Sequence, residues 1–249
     1  MLAMIYGSVV YLFFLGSFIY AIGFVGNLVP RGLDSPAVSG PVEALLCDLA
    51  LLAIFAVQHS VMARKGFKAW LTRFIPPVAE RSTFVLAASL ALAALCWYWQ
   101  PIEGSVWSVT DPTAVTAIQA VFWLGWGVLL LATFLINHFE LFGLHQGFAR
   151  LMGQKLPEPE FRTPLLYRHV RHPIYLGFVL SFWATPEMSL GHLLFAAGGT
   201  AYIFVGIWFE ERDLIAHFGE RYRSYIRQVP MLFPRISRRN DSNVKVKSV

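Results

Sequence analysis

Four stretches of this chain are long enough to cross a bilayer and carry no charged side chain: Met1 to Pro30, Ser82 to Ile102, Pro112 to Phe139 and Met188 to Phe209. Each exceeds the roughly 18 residues expected of a spanning helix. A fifth, Leu49 to Ala63, is shorter and reaches spanning length if Asp48 sits at its aqueous end. In hydrocarbon every backbone N–H and C=O must be satisfied within the chain, so such runs fold as helices. Charged residues make up 14% of the sequence, against about 25% in soluble globular proteins. The expected fold is an all-α integral membrane protein, a bundle of five long transmembrane helices plus a short hairpin helix, with a cytoplasmic C-terminal helical region.

The first stretch has no basic flank and no small-residue cleavage pattern, so it reads as a retained span rather than a signal peptide. Cys47 and Cys96 lie in apolar segments at no metal-ligand spacing and read as buried structural thiols. The formal charge of +5 fits loops that obey the positive-inside rule and calls for no nucleic acid. Segment 64–81 carries Arg64, Lys65, Lys68, Arg73 and Arg81 against Glu80, whereas 100–113 carries only Glu103 and Asp111. Segment 140–172 is basic again, with Arg150, Lys155, Arg162, Arg168 and Arg171, and the region after 210 is rich in arginine. This alternation places both termini and the basic segments in the cytoplasm.

That topology requires 172–185 to cross outward and 189–209 to return. The outward leg, Pro173 to Thr185, is only about 20 Å long as a helix, so it is expected to be the short arm of a helical hairpin turning near Pro186 and Gly191. Three parts follow: residues 1–160 with the N-terminal helices and a loop, 161–235 with the hairpin and C-terminal region, and 236–249 as a disordered basic tail.

Polar groups at the lip of a bilayer are costly and mark candidate sites. One cluster is the stretch Tyr167, Arg168, His169, Arg171, His172 and Tyr175. The second begins at Glu210 and Glu211, at the expected end of the last span. The third is "INHFELFGLHQ", with Asn137, His138, Glu140, His145 and Gln146. Structural readings exist for each: arginines snorkel, tyrosines line the interface, and the glutamates neutralise arginines. His169 and His172 could ligate a metal, but four candidate ligands at zinc-like spacing are missing, and no metal is expected. Pro173 opens a helix and Gly177, one turn on, permits close approach of chain or ligand.

"RHPIYLG" (171–177), an apolar hairpin, and then "EERDLIAHFGERYRSYIRQVP" (210–230) resemble the isoprenylcysteine carboxyl methyltransferase superfamily. The matching positions are Arg171, His172, Pro173, Tyr175 and Gly177, then Glu210, Glu211, Gly219, Tyr222, Tyr225, Val229 and Pro230, covering roughly 165–235. The resemblance implies a membrane-embedded methyltransferase that holds S-adenosylmethionine between hairpin and C-terminal region. Cofactor contacts would fall among Arg171, His172, Pro173, Tyr175, Gly177, Glu210, Glu211, Tyr222 and Tyr225. Tyr222 and Tyr225 would cover the adenosine or simply pack their helix on the bundle. The first 160 residues, with "QHSVMAR" (58–64) and "INHFELFGLHQ" (136–146), resemble the bacterial methanethiol S-methyltransferases, and "QHS" is also similar to the broader NnrU-like membrane proteins.

The reaction implied is methyl transfer from S-adenosylmethionine to a small volatile thiol, methanethiol, to give dimethyl sulfide. A small thiol is mostly protonated at neutral pH, so a group must take or relay its proton. His138 or Glu140 is the candidate, with Asn137 and Gln146 orienting. Other readings remain: a lipophilic acceptor such as a prenylcysteine or a phospholipid amine, or a non-catalytic NnrU-like role. A transporter would show repeated halves with broken helices, and the sequence has no internal repeat.

Overall fold

The computed structural model describes residues 1–154 and 160–234. Lys155 of the basic loop and the tail from 236 lie outside the described residues. Among the described residues five helices are long and apolar enough to span a membrane: α1 (Leu2–Val25), α2 (Pro41–Met62), α4 (Pro77–Tyr98), α5 (Pro112–Ile136) and α9 (Leu190–Phe218). Between them lie α3 (Lys65–Leu71), β1 (Ser105–Ser108), α6 (His138–Leu141), α7 (Leu144–Leu151), a 3-10 turn (Leu165–Arg168), α8 (Pro173–Trp183) and β2 (Glu187–Ser189), and α10 (Glu220–Gln228) closes the order. The protein is an all-α integral membrane protein, with a short apolar helix beside five long ones.

Helix starts are written locally. Pro41, Pro77, Pro112 and Pro173 occupy the first turns of α2, α4, α5 and α8, where the missing N–H costs nothing and φ is already helical. Asp111 caps α5 by accepting from the Ala114 amide at 2.8 Å, and Ser189 caps α9 by accepting from His192 at 2.9 Å. Asn137, at φ 100°, ends α5 in the left-handed region and restarts the chain as α6. Gly219, at φ 59° and ψ −128°, breaks the chain between α9 and α10, a conformation that an L side chain resists.

The long helices and α8 pack in a closed order. α1 lies on α4, α4 on α2, α2 on α9, α9 on α8, and α8 on α5. Phe18 of α1 meets Trp126 of α5 edge-on at 5.5 Å, which joins the first and last members. The α5–α8 contact is the most intimate. A Cβ placed on Gly177 would fall 2.6 Å from the Gly125 carbonyl oxygen and 2.8 Å from Leu129 Cβ. Small residues of this kind let backbones approach where hydrophobicity cannot drive association. Large side chains such as Leu2, Val9, Leu12, Ile19, Val57 and Trp123 lie exposed on the outer surface, the lipid-facing side of such a bundle.

Three features differ from the sequence expectation. α2 starts at Pro41, so Asp48 sits two turns inside the helix, fully buried, where one oxygen accepts from the Gln100 amide at 2.8 Å. The last span continues past Glu210 and Glu211 to Phe218, because helical hydrogen bonding does not stop where apolar residues do. The hairpin turn contains a strand: β2 pairs antiparallel with β1 from the preceding loop, Trp107 opposite Met188 and Ser108 opposite Glu187. Such short strands pair across about eighty residues and leave no periodic signal.

This ribbon end is also tied by a polar latch. His192 is buried; its Nε2 donates to the Phe182 carbonyl at 3.0 Å and its Nδ1 lies 2.8 Å from Asp34 Oδ2. Ser189 donates to the other Asp34 oxygen, and Asn27 Nδ2 donates to Oδ2 at 2.5 Å. Burial pushes the Asp34 carboxyl up, but the hydrogen bonds and charge of His192, with Ser189 and Asn27, outweigh it and hold the group below its ordinary value. A depressed carboxyl contributes stability above its unfolded value, about 3.9, and loses it as pH falls through the folded value. Asp34→Ala is therefore expected to cost about 1.5–3 kcal/mol near neutrality. Thermal unfolding in detergent from pH 7 to pH 3 checks this: the gap to wild type closes only in acid.

Candidate functional site

The end of the bundle where α5 stops and α8 begins gathers two polar clusters. The first joins three separated segments. Arg171 Nε donates to Glu211 Oε1 at 2.8 Å, and His172 Nε2 lies 3.0 Å from the same oxygen. The side chains of Arg171 and His172 are 7% and 3% exposed and that of Glu211 16%, so the ion pair is mostly out of water and strong only while complete. Arg171 Nη1 also donates to the carbonyls of Val229 at 2.6 Å and Ile226 at 3.3 Å. The backbone amides of Arg171 and His172 donate to the carbonyls of Pro230 and Met231 at 2.9 and 3.1 Å. The segment after α10 is thus pinned beside the start of α8.

Glu210 is different. Its side chain is 44% exposed and its carboxylate reaches His172 Nδ1 only at 3.8 Å, with the Tyr175 hydroxyl beside it. Tyr175 points its hydroxyl toward α9, where a Cβ on Gly206 would lie 3.7 Å away. Pro173 is buried at the helix start, and Gly177 faces α5 as described. Tyr222 and Tyr225 are buried on α10 with Phe161 edge-on at 5.9 and 5.4 Å. The Tyr225 hydroxyl donates to the Tyr167 carbonyl, and the Tyr167 hydroxyl to the Ala132 carbonyl of α5 at 3.4 Å. Burial pushes the Tyr225 phenol up to about 12, against the pull of Arg171. Burial, then the charges of Glu211 and Glu210, raises Tyr222. Both stay neutral hydrogen-bonding groups.

The second cluster follows α5. His138 is buried, stacked on Phe134 at 4.3 Å, with Nδ1 2.9 Å from the Thr133 hydroxyl and Nε2 2.9 Å from the Tyr11 hydroxyl. Thr133 gives its own proton to the Leu130 carbonyl at 2.7 Å, so it accepts from Nδ1–H and the Tyr11 hydroxyl donates to Nε2. Burial lowers the His138 pKa, in keeping with a neutral ring. Glu140 stands apart, accepting from Asn137 Nδ2 at 2.7 Å and lying 3.7 Å from His145 Nδ1. Gln146 Nε2 donates to the Glu140 carbonyl at 3.1 Å. Asn137, Glu140 and Gln146 are thus brought together, with His138 turned away from them toward α1.

Tyr11 and Thr133 were not visible as partners in the sequence. Tyr11 lies 127 residues from His138, in an aromatic-rich span that singles out no one tyrosine. Thr133 is five residues from His138 across the left-handed break at Asn137, a pairing that helical spacing does not give.

No protein-family profile and no solved structure matches the chain. Among curated proteins it is 55% identical over 235 residues to the methanethiol S-methyltransferase of Mycobacterium tuberculosis, covering 94% of this chain and 96% of that one. To methanethiol S-methyltransferase 1 of Bradyrhizobium diazoefficiens it is 52% identical over 234 residues, 94% of this chain and 82% of the relative. Nurim of Pan troglodytes is more distant, 31% identical over 204 residues, 77% of this chain and 73% of that one.

Proposed function

Because the chain belongs to the methanethiol S-methyltransferase family, we propose that it moves a methyl group from S-adenosylmethionine to methanethiol, giving dimethyl sulfide, at the cytoplasmic face of a bacterial inner membrane. The observation that carries the reading within the fold is the cluster Arg171–Glu211–His172 beside the half-exposed Glu210.

The donor set suits such a cofactor. Glu210 offers a carboxylate for ribose hydroxyls or an amino group, and Tyr175 a hydroxyl beside it. Arg171 Nε and Nη1 bind the protein, so a cofactor carboxylate would meet Nη2. Glu211 holds His172 and Arg171 in place, while Pro173 and Gly177 set how α8 leaves the site. Tyr222 and Tyr225 form the floor under Arg171. When bound, S-adenosylmethionine supplies an electrophilic methyl on a sulfonium.

The protein positions the acceptor and excludes water, which are the main levers for a transfer of this kind. A thiolate and a sulfonium cancel each other's charge as they react, and an apolar interior favours that cancellation. The thiol's proton leaves by the cluster after α5. One route is His138, reached through the Tyr11 hydroxyl. The other is Glu140, whose side chain is 39% exposed, with Asn137 and Gln146 holding the loop.

Headspace gas chromatography of purified protein, supplied with S-adenosylmethionine and methanethiol, tests the reading. Dimethyl sulfide forms with wild type and is lost in a heat-killed sample and in His172→Ala. Cofactor binding without product would move the acceptor to a lipophilic molecule. Neither binding nor product would sink the methyltransferase.

A further inference from the structure

The "QHS" segment at the end of α2 has no part in either cluster, yet it holds a half-buried titratable side chain. His59 Nδ1 is buried and has no hydrogen-bond partner among the described residues. An unpaired polar atom inside a membrane bundle is costly and asks for a ligand. Three aromatic rings lie close to it. Phe55 stacks on it at 5.5 Å and 21°, Phe84 lies at 4.9 Å, and Tyr202 stands edge-on at 6.4 Å. The Tyr202 hydroxyl is engaged with Ser60 at 3.1 Å, and the Arg81 guanidinium sits over the Phe84 ring at 5.1 Å.

The box is continuous with the proposed site. Tyr202, Gly206 and Glu210 are four apart on α9 and share one stripe of that helix. Tyr202 closes the box, Glu210 belongs to the first cluster, and Gly206 lies between them. In front of Gly206 the described residues place only the Tyr175 hydroxyl within 4 Å of an added Cβ, at 3.7 Å. Along α9 the box is about 12 Å from Glu210, deeper in the membrane.

We infer that this box is the docking subsite for the acceptor, in which a small alkanethiol hydrogen-bonds its S–H to His59 Nδ1, keeping that proton until it moves on to the donor, and lays its alkyl group against Phe55, Phe84 and Tyr202. This inference rests on the methyl-transfer reading above. Sulfur against aromatic rings is a favourable contact. A water in the same place would need two to four polar partners, and on the His59 ring the buried atom without a partner is Nδ1. Phe84 would set the size limit, and the face of α9 at Gly206, which carries no side chain, would give the sulfur its approach to the donor.

The test uses the full chain in detergent, labelled with ¹⁵N-histidine and titrated with methanethiol in the absence of any methyl donor. The resonance missing from His59→Gln is expected to shift saturably while those of the other histidines stay. In turnover, His59→Gln raises the KM for methanethiol about tenfold, equal to ~1.4 kcal/mol, with little change in kcat. Phe84→Ala improves ethanethiol and 1-propanethiol relative to methanethiol by about tenfold per added methylene. An unshifted His59 signal, or unchanged selectivity in a folded Phe84→Ala protein, overturns the inference. Dimethyl sulfide made by a protein whose His59 ignores the thiol leaves the reaction standing and removes the subsite. A His59 shift without any product keeps the subsite and removes the reaction.

Discussion

Glu211→Ala is expected to lower dimethyl sulfide formation by about 100- to 1000-fold, the scale seen when one preorganised electrostatic group is removed from a site. The argument is one of shared dependence. Glu211 Oε1 is the common partner of Arg171 Nε and His172 Nε2. Without it a guanidinium that is 7% exposed keeps its charge and loses its counter-ion, and uncompensated buried charges of this kind cost about 3–5 kcal/mol. Since Glu211 itself retains some contact with solvent, the lower part of that range is the reasonable expectation. The damage also spreads, because Arg171 is what holds the carbonyls of Ile226 and Val229. Limited proteolysis should therefore show faster cleavage after α10 in Glu211→Ala. Glu211→Gln keeps an oxygen for both donors and removes only the charge, so it should protect the segment while remaining impaired in turnover. Equal activity in Glu211→Ala and wild type would remove the cluster from the reaction.

Gly177→Leu is expected to prevent accumulation of folded protein, and Gly177→Ala to destabilise it by about 1–3 kcal/mol, as overpacking of a tight core does. An added Cβ would come within 2.6 Å of a backbone carbonyl oxygen on α5. A carbonyl cannot rotate away as a side chain can, so the helices must part. Gly127, also on α5, is the matched control. Nothing lies within 4 Å of a Cβ added there, and Gly127→Ala should stay within about 0.5 kcal/mol of wild type. Thermal unfolding in detergent, with the yield of monodisperse protein, reads both substitutions. A Gly177→Ala protein as stable as the Gly127→Ala control would show that the α5–α8 approach is looser than described here.

The long helices were legible because their signal is local: an uncharged run must be helical in a bilayer, and Pro41, Pro77, Pro112 and Pro173 mark starts. The ends were less so. α9 runs beyond Glu210 because a helix stops at a backbone event, here Gly219, rather than at a change of polarity. Asp48 was expected in water and is buried, since one of its oxygens meets the Gln100 amide just past the end of α4, a long-range partner that hydropathy does not reveal. The first cluster was readable because 171–175 and 210–211 are contiguous motifs, each dense in polar groups. Pairs such as Tyr11 with His138, or Asp34 with His192, depend on helices brought together by the fold and left no trace in spacing. Gly177 was expected to permit close approach of chain or ligand, and the chain it meets is α5.

The length of α9 carries a consequence for where the chemistry stands. From Leu190 to Glu210 the helix climbs about 30 Å, close to the thickness of the hydrocarbon layer. With Leu190 at one boundary, Glu210 and Glu211 emerge at the other, where the proposed reaction would bring a water-borne cofactor and a membrane-dissolved thiol together. Acyl-chain length then becomes a control on the site. In a thicker bilayer the two carboxylates are drawn into oil unless the helix tilts less or the lipids thin around it, each at a modest cost per ångström. The same helix is thereby a ruler, and the membrane sets the mark against which it is read.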